Sequence, residues 1–219
     1  MTKRERAAES RLPRKAEDWL TGRRARYTDE VANIVEAAYK VIEATGSTDP
    51  SLRAILAEAG VSTPVFYRHF DSKDELLVLL LDDGRRQLAG YLKTRLDKVD
   101  DPEGKIRAWV DGMMAQVTAP AAAQRTRPFF VDQGLLDRNY AAQQQESIQR
   151  LVDLLHEPVA ALSLRPSDST LKERHAAAIY CLVTGAMRHH LTYQTTPSKA
   201  ECRHLADFCL AGIRNVGSS

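Results

Sequence analysis

Residues 51–73 read SLRAILAEAGVSTPVFYRHFDSK. Leu52, Ile55, Leu56 and Ala59 recur at three- and four-residue steps, which predicts a short helix with one apolar face that stops at Gly60. Ahead of it, Asp49-Pro50 fits an N-cap followed by a proline in the first turn, where a missing N–H has no consequence. A second piece after a tight turn carries Phe66 and Phe70, four apart, as its inward edge; it is too short to stand alone and depends on packing. Proline disfavours helical geometry in the residue before it, so this helix is expected to have Thr63 as N-cap and Pro64 as its first residue. Ser72-Lys73-Asp74-Glu75 fits a capping box and opens a leucine-rich helix toward Leu96. Two short helices joined by a glycine turn make a helix-turn-helix.

The flanks extend the helical reading. Upstream, Val31, Ile34, Val35, Ala38, Val41 and Ile42 form one apolar stripe ending near Gly46. Residues 1–27 lack such periodicity and are expected to form a flexible basic arm, with transient helix around Ala16 to Leu20. Downstream, Asp101-Pro102 opens a helix to about Val117 that breaks at Ala119-Pro120. A less regular stretch around Arg127-Pro128-Phe129-Phe130 precedes a helix from about Asn139 to His156, stopped by Pro158. Ser167 or Asp168 opens one to about Tyr193, and Thr196-Pro197 opens the last. No alternating run supports a strand. The expected fold is all-α, divided into the arm (1–27), a three-helix DNA-binding-type unit (28–83) and a helical domain (84–219).

The 219 residues are 43% hydrophobic and 27% charged, enough to bury a sizeable core. No apolar run approaches the roughly 20 residues that span a bilayer. Three cysteines (Cys181, Cys202, Cys209) with no CxxC pair fit a reduced, cytoplasmic protein. The net charge of +2 conceals an uneven distribution. Residues 1–27 hold nine Lys or Arg against four acids, whereas residues 28–83 hold four against eleven, a net −7. For a unit expected to meet phosphates, what matters is which face each charge occupies, and most of these acids lie outside Ser51 to His69.

The segment Ser51 to Lys73, ending in Tyr67-Arg68-His69-Phe70-Asp71-Ser72-Lys73, resembles the DNA-binding signature of TetR-family repressors. The likeness runs back through the helix ending at Gly46 and forward to Leu77. Pro64 departs from the pattern, which commonly has glycine there. The resemblance implies that Tyr67, His69 and Lys73 contact phosphates, with Ser51 doing so from the preceding helix. Thr63, Pro64 and Val65 form a small leading edge suited to base edges, Thr63 by its hydroxyl and the other two against thymine methyls. Tyr67 and His69 have packing as an alternative role. Arg23, Arg24 and Arg26 are either a solvated tail or an arm that enters the minor groove. Arg53 is expected to pair with a local carboxylate.

A single helix-turn-helix reads only a few base pairs, so a homodimer on double-stranded DNA is expected. Ile179, Leu182, Val183 and Ala186 on one late helix, and Leu205, Phe208, Cys209 and Ile213 on the last, are the candidates for a four-helix dimer bundle, with ordinary monomer core as the alternative. The resemblance further implies a small-molecule effector, fatty acyl or otherwise apolar, whose binding releases the DNA. Trp109, Met113, Met114, Phe129, Phe130, Tyr140, Met187 and His190 are candidate pocket residues, with plain core as the competing role that each suits better. Gly84 inside the leucine-rich helix marks a place where that helix bends cheaply.

An enzyme is the main rival class, but GxGxxG, GxxxxGK[ST], GxSxG and HExxH do not occur. No cofactor or metal is expected. Cys202, Cys209, His204, His189 and His190 leave a metal or thiol sensor as an alternative, and the acidity of residues 28–83 leaves a protein-interaction module that has lost DNA binding.

Overall fold

Ten helices form among residues 14–47, 50–131, 140–163 and 169–215, which the computed structural model of the chain describes, and no strand occurs among them. They are α1 (Arg14–Thr45), α2 (Leu52–Ala59), α3 (Thr63–Tyr67), α4 (Lys73–Leu96), α5 (Pro102–Thr118), α6 (Pro120–Val131), α7 (Ala141–Asp153), α8 (His156–Leu162), α9 (Ser169–Tyr193) and α10 (Lys199–Asn215).

Several boundaries differ from the sequence expectation, each for a local reason. Helix α1 begins at Arg14, so Arg23, Arg24 and Arg26 stand on helical backbone continuous with the apolar stripe and not on an arm. The stripe nucleates the helix, and the Arg- and Ala-rich run before it propagates it. Residues 1–13 and Asp49 lie outside the described residues. Ser51, not Asp49, caps α2: its hydroxyl oxygen accepts from the Ala54 N–H at 3.1 Å, and Pro50 stays outside the helix. Gly60 closes α2 at φ +63°, a left-handed conformation that only glycine adopts without strain.

Helix α3 begins one residue earlier than expected. The Ser62 carbonyl accepts from Val65 at 3.0 Å and from Phe66 at 3.2 Å, which makes Ser62 the N-cap and puts Pro64 second in the helix. The first four N–H groups of a helix have no internal partner, so proline fits its second position as well as its first. Ser72 caps α4 through the Glu75 N–H at 3.1 Å, but the Glu75 carboxylate returns to the Asp71 N–H at 2.6 Å, one residue short of a capping box. A reciprocal box occurs at α10, where Ser198 and Glu201 exchange bonds of 3.2 and 2.7 Å two residues beyond the expected start. Arg127 to Phe130 belong to helix α6 with Pro128 buried inside it, because the alanine-rich run before the proline carries the helix past one missing donor. The break in the next segment falls at Leu154-Leu155, and Pro158 sits in the first turn of α8. The expected start at Ser167 or Asp168 lies outside the described residues.

Two apolar cores meet on α4. The first joins Ile34, Ala38 and Ile42 of α1, Ile55 and Ala59 of α2, Phe66 and Phe70, and Leu76, Leu77, Leu80 and Leu81 of α4. Asn33 ties α1 to it by donating to the Ala59 carbonyl at 2.7 Å. The second begins at Leu92 and Leu96 and collects Trp109, Met113, Val117, Leu151, Leu155, Val183, Met187 and Ile213. Helices α4 and α5 approach so closely that a Cβ on Gly112 would stand 2.5 Å from Leu92 Cδ2. Between the cores α4 is polar. There the Asp82 carboxylate takes the guanidinium groups of Arg86 and, from α7, Arg150.

Candidate functional site

Helix α3 is held from beneath and open from above. Phe66 is fully buried, stacked on Phe70 with ring centroids 5.2 Å apart. Tyr67 meets the Phe66 ring in a T-shaped contact with centroids 5.3 Å apart and remains 54% exposed. Thr63 and Pro64 are exposed and Val65 is half-buried. Thr63 and Pro64, together with Leu52, Arg53, Leu56, Ala57, Gly60, Val61 and Ser62, border a shallow groove between α2 and α3. Ser51 is exposed; its oxygen accepts from the Ala54 N–H, which leaves the hydroxyl hydrogen free to donate outward. Lys73 is half-buried at the start of α4.

His69 is the exception. Its side chain is 0% exposed, and Nε2 lies 2.6 Å from a Glu30 carboxylate oxygen that Arg68 also reaches at 2.6 Å. Hydrogen bonds from His69 and Arg68 hold the Glu30 carboxyl below the usual carboxylate range. His69 is therefore a link between α1 and the turn after α3, with its side chain withdrawn from the surface that a phosphate contact needs. Arg53 is exposed beside the α2–α3 groove and has no carboxylate partner among the described residues, contrary to expectation. The sequence reading missed it as a surface cation.

Part of the acidity of this unit is met by ion pairs within the chain. Glu36 and Glu58 lie 3.3 and 3.8 Å from the Lys40 ammonium, and Glu43 pairs with Arg125 of α6. Glu75 is occupied by the Asp71 backbone, and Asp82 by two arginines. Asp74 and Glu75 occupy the first turn of α4, so the helix N-terminus behind Ser72 already has acidic neighbours and is a weaker anion site than the cap alone implies.

A cavity of about 960 Å³ lies where the two cores meet. Met113, Phe129, Phe130 and Met187 line it as expected, with Leu80, Leu81 and Leu88 of α4, Ile148 and Leu151 of α7, and Glu36, Tyr39, Lys40 and Glu43 of α1. The Tyr39 hydroxyl donates to the Leu80 carbonyl at 2.8 Å, and burial pushes its pKa up to about 12. The other four candidates do not line it. Trp109 is core, its indole N–H donating to the Leu151 carbonyl at 3.1 Å. Tyr140 packs on the first core, its hydroxyl 3.4 Å from the Ser72 oxygen. Met114 and His190 face the opposite side of the domain.

That opposite side is an apolar groove lined by Leu182 and Ala186 of α9, Leu205 and Phe208 of α10, and Met114, Pro197 and Ala200, with His190, Glu201 and His204 at its polar edge. Phe208 is 61% exposed and Leu182 38%. Ile179, Val183, Cys209 and Ile213 are instead buried in the second core. A helix wedged between a core and an outer face is apolar on two sides, so half of the expected interface residues belong to the monomer interior.

Among the described residues no group of three or more His, Cys, Asp or Glu is placed to hold a metal ion. Burial pushes the Cys209 thiol up to about 11, the opposite of what a reactive thiolate needs. No described helix is long and apolar enough to cross a membrane.

Residues 34–80 match the family described as bacterial regulatory proteins, tetR family. The chain is 28% identical over 141 residues to the HTH-type transcriptional regulator BetI of Stenotrophomonas maltophilia, covering 60% of this chain and 72% of that protein. Its fold resembles that of the fatty acid degradation regulator FadR of Bacillus halodurans, with a TM-score of 0.66 and 19% identity over 84% of this chain and 96% of that one. A similar likeness, TM-score 0.61 and 15% identity over 84% and 97%, links it to the Bacillus subtilis FadR solved in complex with stearoyl-CoA. With an exposed recognition helix over a shared aromatic core and a matching segment, residues 34–80 carry the DNA-binding helix-turn-helix of the TetR family of transcriptional regulators.

Proposed function

We propose that the protein works as a homodimer that represses from a pseudo-palindromic operator and is released by a small, largely apolar effector. Thr63, Pro64 and Val65 meet base edges, while Ser51, Tyr67 and Lys73 hold phosphates, joined by Arg53. Arg23, Arg24 and Arg26 follow α1 toward the backbone of the duplex. Leu182, Ala186, Leu205 and Phe208 supply the apolar centre of the dimer contact, in keeping with the exposure of that face.

One observation carries the release step: the 960 Å³ cavity is walled on one side by α1 and the first half of α4, the elements that support the recognition helix. An occupant therefore contacts both units at once, which gives it the differential affinity for two arrangements that any ligand switch requires. The size suits a drug-sized or acyl-chain ligand, and the stearoyl-CoA held by the Bacillus subtilis relative is consistent with an apolar chain.

A bulky side chain tests this without knowing the effector. Ala122 lines the cavity from α6, far along the chain from the recognition helix. Ala122→Trp is expected to mimic occupancy and weaken binding to the protein's own upstream DNA by roughly 5- to 150-fold in fluorescence anisotropy, the usual span of allosteric coupling. Unchanged affinity in a folded, dimeric variant would contradict release through this cavity.

A further inference from the structure

The unit that meets DNA has few cations with which to do so. Residues 28–83 carry four, Lys40, Arg53, Arg68 and Lys73, against eleven acids. Lys40 is engaged by Glu36 and Glu58, at 3.3 and 3.8 Å. Arg53 and Lys73 already belong to the proposed phosphate set, which leaves Arg68 as the remaining positive charge of the unit.

The recognition helix itself places Arg68. It follows α3 as the C-cap, four residues after Pro64, and its backbone N–H donates to the Pro64 carbonyl at 3.2 Å. Side chains four apart on a helix lie on one face, so Arg68 continues the exposed edge that Thr63 and Pro64 begin. Its side chain is 54% exposed, next in sequence to the exposed Tyr67.

One corner of the guanidinium is fixed and the rest is open. Nη2 donates to a Glu30 carboxylate oxygen at 2.6 Å, and the other side-chain N–H groups have no partner among the described residues. The same carboxylate oxygen lies 2.6 Å from Nε2 of the fully buried His69 side chain, so it is a fixed acceptor. An ion pair whose partners are this exposed contributes little to stability on its own. A guanidinium, however, carries five N–H donors in a rigid fork, so it can hold one anion while gripping a second.

We propose, building on the outward presentation of α3, that Arg68 is a phosphate contact of the DNA interface, with one corner held by Glu30 and the open N–H groups donating to a phosphate oxygen. It supplies the contact that His69, buried on the same carboxylate, withholds. A phosphate carries no sequence information, so Arg68 adds affinity and fixes register on the duplex without choosing bases.

Salt dependence separates this role from a structural one, because each neutralised phosphate contributes about 0.9 to the slope of log K against log salt. Anisotropy of the full chain on its own upstream DNA across a salt series is the test. In Arg68→Met the slope is expected to be shallower by about 1.8, one contact from each copy of a dimer. Affinity at low salt is expected to fall about 10- to 100-fold. Glu30→Gln removes the same ion pair but leaves the guanidinium, so its slope is not expected to become shallower. Arg68→Lys keeps the cation without the fork and is expected to restore most of the slope while binding several-fold more weakly than Arg68 itself. An unchanged slope in Arg68→Met, an equal loss of slope in Glu30→Gln, a slope in Arg68→Lys no steeper than in Arg68→Met, or an unaltered chain that binds no DNA would overturn the proposal. A slope change of about 0.9, with the other results as expected, would support the Arg68 contact and remove the two-copy reading instead.

Discussion

Phe208→Glu is expected to yield a folded monomer whose affinity for the operator falls by roughly 10³-fold, the lower end of the margin between specific and non-specific DNA binding. Phe208 is 61% exposed on α10 and its loss removes nothing from either core. In a two-fold contact each copy presents the same patch, so the substitution buries two carboxylates among Leu182, Ala186 and Leu205 with no cation to meet them except the histidines at the groove edge. Losing the partner separates the two half-sites, and each recognition helix then reads a few base pairs alone. Sedimentation and anisotropy measured together check the outcome. A dimer that persists, or a monomer that binds the operator at full strength, would contradict the assignment of this face.

The second large effect is expected at Phe66. Removing a fully buried aromatic side chain costs about 3–5 kcal/mol, and Phe66 stacks on Phe70 and supports the edge of Tyr67. Phe66→Ala should lower the stability of the first core by that amount and abolish DNA binding. The second core, built from Leu92 onward, shares none of these contacts. Chemical denaturation is therefore expected to separate into an early transition for residues near α1–α3 and a later one reported by the buried Trp109. A change below about 1 kcal/mol would mean that α3 does not depend on this core.

The helical fold was legible because its signals are local. Apolar residues at three- and four-residue steps, Gly46 and Gly60 at positive φ, and the Ser72 and Asp101 caps all act within a turn or two of chain. The failures were long-range. His69 has the chemistry of a phosphate contact, but Glu30, far upstream in α1, captures it, and no spacing rule announces that partner. Trp109 suits a pocket wall, yet its N–H is satisfied by Leu151 across the domain. On α9, Ile179 and Val183 face the core while Leu182 and Ala186 border the outer groove. Periodicity gives the stripes of such a helix and not the neighbours that cover them.

On the proposed function, α3 is presented outward in two symmetric copies that read adjacent major grooves. Hydroxyl-radical footprinting of the full chain on its own upstream DNA, repeated at rising salt, tests it most directly. Two protected patches on one face of the duplex, about one helical turn or a whole multiple apart, with affinity falling steeply as salt rises, are expected. A single undivided patch, or protection that is lost neither by Phe208→Glu nor by Thr63→Ala combined with Tyr67→Ala, would contradict it.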